Sequence, residues 1–389
     1  MQGLKDLDVR GRRVLVRVDF NVPLKNGRVA DATRIEAALP TIRYLLERGG
    51  RPILMSHLGR PKGERDPAYS LAPCLPVLER ALHCPVHFAS DCVGPEAERL
   101  AATLKPGEVL LLENLRFHPG EERPESEPDF IEQLANLGDC YVDDAFGTAH
   151  RAHASVTGVV PYFPGRAAAG FLLEKEIAFL GEALLRPKRP FYAIIGGAKV
   201  SSKLGVLKAL VAKADKVFIG GGMAYTFLKG QGLSVGRSLI EEELIPTTRE
   251  IMGPKIILPT DVIVAKEISE EATTSVVKLA DGIPEDLEGL DVGPETIKAW
   301  AKELQDAQTL FWNGPLGVFE VAPFSSGTFA MAKILADSEA ITIVGGGDSI
   351  AAINKSGVAS QIDHISTGGG AALEYIEFGT LPGLDALNR

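Results

Sequence analysis

Short runs of β-branched residues and leucine alternate with helix-like stretches along this chain, and that rhythm restricts it to parallel sheets joined by crossover helices. The runs are Arg13–Val18, Pro52–Met55, Val109–Leu112, Phe191–Ile195, Lys216–Ile219 and Ile341–Val344; stretches such as Ala32–Glu47 and Pro128–Leu137 carry the helical pattern. A chain of 389 residues exceeds the ~250–300 at which a single core stops growing, so two domains are expected. The seam falls at Val160–Pro190. Pro161-Tyr-Phe-Pro-Gly165 opens it, a helical pattern over Ala167–Leu185 follows, and Arg186-Pro-Lys-Arg-Pro190 closes it. A helix bracketed by prolines is a stiff connector.

The two halves differ in how they carry positive charge. Residues 1–170 hold 17 Arg, 4 Lys and six of the seven His, whereas the rest holds 5 Arg and 15 Lys. Arginine grips carboxylate and phosphate through a planar fork; lysine is a point charge suited to steadying a nucleotide phosphate. The split predicts a small-anion half and a nucleotide half. A net charge of −10 argues against nucleic acid or an anionic membrane as partner, because a phosphate backbone attracts basic surfaces. Cys74, Cys84, Cys92 and Cys140 form no CxxC pair and read as packing residues of a reducing compartment. The first residues, with Lys5 and Asp6 and no apolar run, do not read as a signal peptide, and no run approaches the ~20 residues that span a bilayer. A cytoplasmic protein is expected.

Four turns of the second half end apolar runs in glycine: Ile195-Gly-Gly-Ala-Lys199, Ile219-Gly-Gly-Gly-Met223, Val344-Gly-Gly-Gly-Asp348 and Ser366-Thr-Gly-Gly-Gly-Ala371. In a parallel sheet such turns gather outside the carboxyl ends of the strands, where ligands bind. Glycine lets backbone approach a phosphate, and the following helix offers free N–H groups at its positive end; a tight loop needing positive φ explains any one of them equally well. None matches GxxxxGK[ST] or GxGxxG. Lys199 and Lys203 stand four apart at the start of an expected helix, sharing a face at the end where cations are least welcome. A bound anion would offset both penalties; two solvated lysines are the plainer alternative. Asp348 opens a helix either as a cap or as a magnesium ligand, and spacing alone leaves the two even.

In the first half the informative segments are Arg17-Val-Asp-Phe-Asn-Val-Pro23, Asp31-Ala-Thr-Arg-Ile35, Ser56-His-Leu-Gly-Arg-Pro-Lys-Gly63, Glu113-Asn-Leu-Arg-Phe-His118 and the run Asp143 to Ser155. Several place polar groups just after an apolar run, at the rim where an α/β sheet binds ligands. His150 and His153 could join a metal, but no cysteine accompanies them and Arg151 lies between, which favours anion binding or capping.

These segments carry a resemblance. VRVDFNVP, SHLGRPKG, LENLRFHPGEE, DDAFGTAHRAHAS, GGAKVSSK, GGGMAYTF, WNGPLGVFE, GGGDS and STGGGAALE occur in family order from Val14 onward, and the chain resembles the phosphoglycerate kinases. The resemblance implies two Rossmann-like three-layer α/β domains with parallel sheets, joined by a hinge helix around a central cleft. Residues 1–166 with a returning tail at 374–389 would bind 3-phosphoglycerate, 167–186 would connect, and 187–373 would bind nucleotide. The implied reaction is 1,3-bisphosphoglycerate plus ADP to 3-phosphoglycerate plus ATP, with Mg²⁺, in glycolysis and gluconeogenesis. Asp19, Asn21, Arg34, His57, Arg60, Arg116 and Arg151 would hold the three-carbon acid. Lys199, Lys203, Gly220, Gly221, Asn313, Glu320, Gly346, Gly347, Asp348 and Ser349 would hold the nucleotide, with Asp348 on the metal. Arg34, Lys199, Gly346 and Gly369 would surround the transferring group.

Ser202 departs from the family pattern, which commonly has Asp there, and bears on hydrogen bonding around Lys203. A monomer is the family-like expectation, since no heptad pattern stands out. Two other readings remain. An NAD-dependent oxidoreductase would need a GxGxxG turn with an acidic residue ~20 positions on, and neither is found. A non-catalytic nucleotide-binding relative would have lost catalytic cations, whereas Arg34, Lys199 and Asp348 are present.

Overall fold

The computed structural model of the chain describes residues 1–389, the side chains of 182 and 183 excepted. It divides into two compact units, Met1–Ala178 with Thr380–Arg389, and Phe179–Gly379. Each is built on a six-stranded parallel sheet, so both are three-layer α/β folds of Rossmann type.

In the first unit the strands lie in the order Val86–Ala89, Val109–Leu112, Arg51–Met55, Arg13–Arg17, Cys140–Asp143, Ala167–Ala169. Leu15 pairs with Ile53 on one side and Tyr141 on the other. Every residue of Val109–Leu112 and of Cys140–Asp143 is buried. Val109–Leu112 is apolar throughout rather than alternating because helices cover both faces of a parallel sheet. The helix Thr33–Glu47 presents Ile35, Ala38, Ile42 and Leu45, at spacings of three and four, to Val14, Val16, Leu54 and Val142.

The second sheet runs Ile256–Ile257, Lys216–Ile219, Phe191–Ile195, Thr309–Asn313, Ile341–Gly345, His364–Ser366. Its chain order reverses between Phe191–Ile195 and Thr309–Asn313, the topological switch point at which open α/β sheets bind ligands. A separate antiparallel sheet of Ser275–Lys278, Asp261–Ala265 and Glu288–Val292 packs its valines against Tyr225 and Leu228; the sequence reading did not anticipate it.

The long connecting helix expected over 167–186 is shorter and begins later. Ala167–Ala169 is helix-forming by composition, yet it pairs in parallel with Tyr141–Asp143 as an edge strand. Gly170 then ends the strand, and a side chain there would meet the Asp144 carboxylate, 2.2 Å from where its Cβ would stand. The helix proper is Phe171–Leu180, followed by a π-helical turn at Gly181–Leu185. Its free N–H groups are met by tertiary caps: Asp144 Oδ1 accepts from Leu172 (2.8 Å) and Leu173 (3.3 Å), and Thr41 Oγ1 from Phe171 (2.9 Å). Long-range capping thus overrides local propensity.

The returning tail is also shorter than 374–389. Gly370–Phe378 packs inside the second unit, where Gly205 makes room for the Glu377 carboxylate and Lys213 Nζ donates to the carbonyl of Ile376. Only from Thr380 does the chain join the first unit, with Gly383 N donating to Ala149 O at 2.8 Å.

Asp144 is wholly enclosed, and burial lifts its carboxyl to about 7 from the ~3.9 of an unfolded chain. Between those values the folded chain keeps a proton that the unfolded chain releases, so this group makes stability fall as pH rises. Burial lifts Asp143 to about 6 and Asp291 to about 7, with slopes of the same sign. Asn in place of Asp144 can still accept at Oδ1 and cannot ionise. Thermal melting of Asp144→Asn is therefore expected to gain on the parent as pH rises from about 5 to about 8; a difference constant across that range would show that Asp144 does not titrate there.

Candidate functional site

In the first unit the polar residues follow the buried strands directly, so the sheet's carboxyl edge becomes a layer of hydrogen-bonding groups. Asp19, buried just after Arg13–Arg17, pairs its Oδ2 with Arg34 Nη1 and accepts from Asn21 N at Oδ1 (3.2 Å). Asn21 Oδ1 accepts from Gly59 N (2.9 Å), and Gly59 O accepts from Arg116 Nη1 (2.8 Å). Asn114 ties the loop after Arg51–Met55 to the loop after Val109–Leu112: it accepts from Leu58 N and Arg116 N and donates to Leu58 O and Tyr69 O. Arg34, Asp19, Asn21 and Arg116 therefore form one connected set.

His57 joins this set through Arg17, whose Nη2 lies 3.2 Å from His57 Nδ1. The imidazole is held well below its ordinary pKa, first by burial and then by the cations Arg17, Arg116 and Arg34. Burial also lowers the Arg116 pKa, with Glu122 Oε1 3.0 Å from its Nε in opposition. Arg60 and Arg151 are exposed on the adjoining loops, and the charge of Arg151 is felt at Arg116. The sequence reading left Arg17, Glu121 and Ser155 without a role. An arginine closing the apolar run Val14–Val16 was the available signal, because a cation buried at 0% exposure must find partners.

In the second unit two of the glycine turns, those after Phe191–Ile195 and Lys216–Ile219, lock against the turn Asn313–Leu316. The Cβ of a residue at Gly196 would stand 2.1 Å from Pro315 O, and one at Gly221, where φ is +67°, 2.7 Å from Gly197 N. Gly196 N donates to Asn313 O (2.9 Å), Gly197 N to Pro315 O (2.9 Å) and Gly221 N to Leu316 O (3.1 Å). Backbone packing requires glycine at 196 and 221, and at Gly220, expected with Gly221 to line the nucleotide, a Cβ would meet the Leu316 side chain. The turn at Gly346–Gly347 is different. Gly346 has φ +92° and caps the helix Gly347–Ser356, and a Cβ at Gly347 or Gly369 would meet nothing within 4 Å. Those two turns leave room for a ligand at helix N-termini.

Lys203 Nζ donates to Gly196 O (2.7 Å) and Asn313 O (3.2 Å), at the carboxyl ends of the two central strands. Burial lowers its pKa to about 8, opposed by Asp348. Asn313 Nδ2 donates to Gly345 O (2.8 Å), and Ser349 Oγ accepts from Gly314 N (2.6 Å). Lys203, Asn313 and Ser349 are thus interlocked, whereas Lys199, Glu320, Gly347 and Asp348 are exposed. The expected shared helical face of Lys199 and Lys203 does not form: the α-helix starts at Leu204, after a 3₁₀ turn over Ser201–Lys203, so Lys199 precedes it. Ser202 donates to Lys199 O (2.8 Å), which stabilises that turn. Elsewhere, Asp91, Cys92 and His118 approach one another, but both His118 nitrogens are engaged, by Asp91 at 2.7 Å and Glu127 at 2.8 Å. That is an ion-pair bridge.

Residues 4–378 match the family described as Phosphoglycerate kinase. Phosphoglycerate kinase of Moorella thermoacetica is 57% identical over 392 residues, covering 99% of this chain and 98% of that protein. The enzyme of the same name from Chlamydia muridarum is 53% identical with the same coverage. Among solved structures, phosphoglycerate kinase from Coxiella burnetii superposes with a TM-score of 0.87 at 40% identity, over 99% of this chain and 98% of its own. That from Pyrococcus horikoshii gives 0.86 at 34% identity, over 100% and 98%. With a match of this length and identity, the chain belongs to the phosphoglycerate kinase family.

Proposed function

We propose that this protein catalyses the magnesium-dependent, reversible transfer of a phosphoryl group from 1,3-bisphosphoglycerate to ADP, giving 3-phosphoglycerate and ATP, the step shared by glycolysis and gluconeogenesis. The unit Met1–Ala178 with Thr380–Arg389 takes the three-carbon acid, and Phe179–Gly379 takes the nucleotide. The protein works as a cytoplasmic monomer; its net charge of −10 supports the absence of a nucleic-acid or anionic-membrane partner.

The observation that carries this reading is the composition of the first sheet's carboxyl edge: Arg34, His57 and Arg116 are held in place by Asp19, Asn21 and Arg17, with no activated nucleophile among them. That is the set an anionic substrate with its own nucleophile requires. In the ATP-consuming direction the attacking atom is the substrate's carboxylate oxygen, already ionised at neutral pH because such a group has a pKa near ~4. It bonds to the γ-phosphorus while the bridge to the β-phosphate breaks, and no base is needed. The protein's contribution is positioning and charge stabilisation.

Arg34, oriented by Asp19, offers its remaining donors to the substrate; His57, Arg116, Arg60 and Arg151 bind its carboxylate and phosphate. In the second unit Lys199 and Lys203 neutralise nucleotide phosphates, Asn313, Glu320 and Ser349 shape the site, and the N–H groups after Gly346 and Gly369 face the transferring group. Asp348 fits a magnesium ion, because it is an exposed carboxylate in the first turn of Gly347–Ser356 beside open space, and Mg²⁺ takes one or two carboxylates plus phosphates and water. When bound, the ion neutralises charge on the phosphate oxygens.

The direct test is ADP release from ATP, Mg²⁺ and 3-phosphoglycerate, with hydroxylamine trapping the acyl phosphate. Release that requires all three components and yields the hydroxamate is expected; release without 3-phosphoglycerate, or none at all, would refute the assignment. Arg34→Ala is expected to lower turnover by roughly a hundredfold, the usual loss of one preorganised donor, and Arg34→Lys to be impaired because the fork is lost. Turnover within twofold of the parent would remove Arg34 from the mechanism. Lys203 loses its proton near pH 8 in the free protein, so kcat/KM for ATP is expected to fall as pH rises from about 7 to about 9. Lys203→Met is expected to be weaker throughout and to lack that limb, and an unchanged profile would place the limb on another group.

A further inference from the structure

Behind His57 lies a row of wholly buried groups in which every hydrogen atom's position is forced. Glu121, at 0% exposure, is held ionised: burial works against its charge, but bonding to His153 and Ser155 and the charge of Arg17 outweigh it. A carboxylate only accepts, so the Ser155 hydroxyl donates to Glu121 Oε1 (2.7 Å), as Ser155 N does to Oε2 (3.0 Å). With its single proton committed, Ser155 Oγ must accept, and Arg17 Nε donates to it at 2.8 Å. Arginine has no acceptor. Its Nη1 donates to Val18 O, and its Nη2, 3.9 Å from Glu121 Oε1, stands 3.2 Å from His57 Nδ1. His57 Nδ1 is therefore the acceptor, and the proton of the neutral ring sits on Nε2.

We infer that Glu121 and Ser155 are positioning residues that act through Arg17 to hold His57 as a neutral imidazole protonated at Nε2, which presents a single N–H donor to an anionic oxygen of the three-carbon substrate. Only the last clause rests on the function proposed above; the donor chain stands on the geometry. A second proton on Nδ1 would face the Arg17 N–H, two donors 3.2 Å apart. Arg116 and Arg34, and a positive charge at His153, oppose protonation of His57 as well. The Tyr141 hydroxyl donates to Ser155 O (3.0 Å), which ties the turn Ala154–Gly158 to the strand Cys140–Asp143. His57 thus recognises substrate by an oriented hydrogen bond, while the neighbouring arginines carry the charge.

The experiment is long-range ¹H–¹⁵N correlation on uniformly labelled full-length protein at neutral pH, with the His57 signals assigned against His57→Asn. Protonated Nε2 with bare Nδ1 is expected. An imidazolium, or a proton on Nδ1, overturns the inference without any variant. Ser155→Ala and Glu121→Gln are then expected to mix the two tautomers and to raise KM for 3-phosphoglycerate about tenfold, as loss of a well-oriented hydrogen bond to a charged group does, with KM for ATP within twofold. Variants that keep both the parent tautomer and the parent KM overturn the positioning role. If Glu121→Gln does not fold, Ser155→Ala and the parent spectrum decide. A parent protein with the stated tautomer but no kinase activity would leave the donor chain standing and remove the proposed reaction instead.

Discussion

Both units depend on parallel pairing of strands that are buried on both faces. Once Val14–Val16, Val109–Leu112 and Phe191–Ile195 are enclosed by sheet neighbours and helices, no polar side chain can be accommodated within the layer without a partner. Polar chemistry is expelled to the strand ends. The carboxyl ends receive it, because there the chain turns into loops and helix N-termini with unpaired N–H groups. The location of Asp19, His57, Arg116, Lys203 and the Gly346 turn follows from that one constraint.

The two sheet edges use it differently. In the first, side chains hold side chains: Asp19 steadies Arg34, Asn114 steadies the Arg116 loop, and Ser155 and Glu121 steady Arg17. In the second, backbone holds backbone, with the turns after Phe191–Ile195, Lys216–Ile219 and Thr309–Asn313 packed so closely that only glycine fits at Gly196 and Gly221. A lysine threaded through those turns finds carbonyls rather than carboxylates, and burial against them lowers the Lys203 pKa. Lys199, by contrast, is exposed. The arginine-rich and lysine-rich halves of the sequence correspond to these two ways of building a rim.

Much of this was legible before any fold was known. The central strands Val109–Leu112, Phe191–Ile195 and Lys216–Ile219 have the bounds that the apolar runs mark, because an enclosed strand has no alternative composition. Local pattern failed where a distant residue decided the outcome. Ala167–Ala169 reads as helix and is strand, since Tyr141–Asp143 offers it a ladder and Asp144 caps the helix only after Gly170. Gly370–Phe378 reads as part of a returning tail and is held instead by Gly205 and Lys213. Gly220 and Gly221 also pack closely on neighbouring turns, a requirement that no run of residues displays.

The sequence alone determined the α/β class, the existence of two domains, the membership of Arg34, Asp19, His57 and Arg116 in one rim, and the family, because periodicity and long motifs are properties of neighbouring residues. Tertiary structure alone decided which donors face which acceptors. Arg17 and Glu121 are 104 positions apart, and nothing local marks either as a partner of His57; only when Arg13–Arg17, Pro119–Glu122 and Ala154–Gly158 bury Arg17, Glu121 and Ser155 together must each proton choose a side. That choice, made in a buried interior where an unpaired group is costly, turns a set of polar letters into an oriented site.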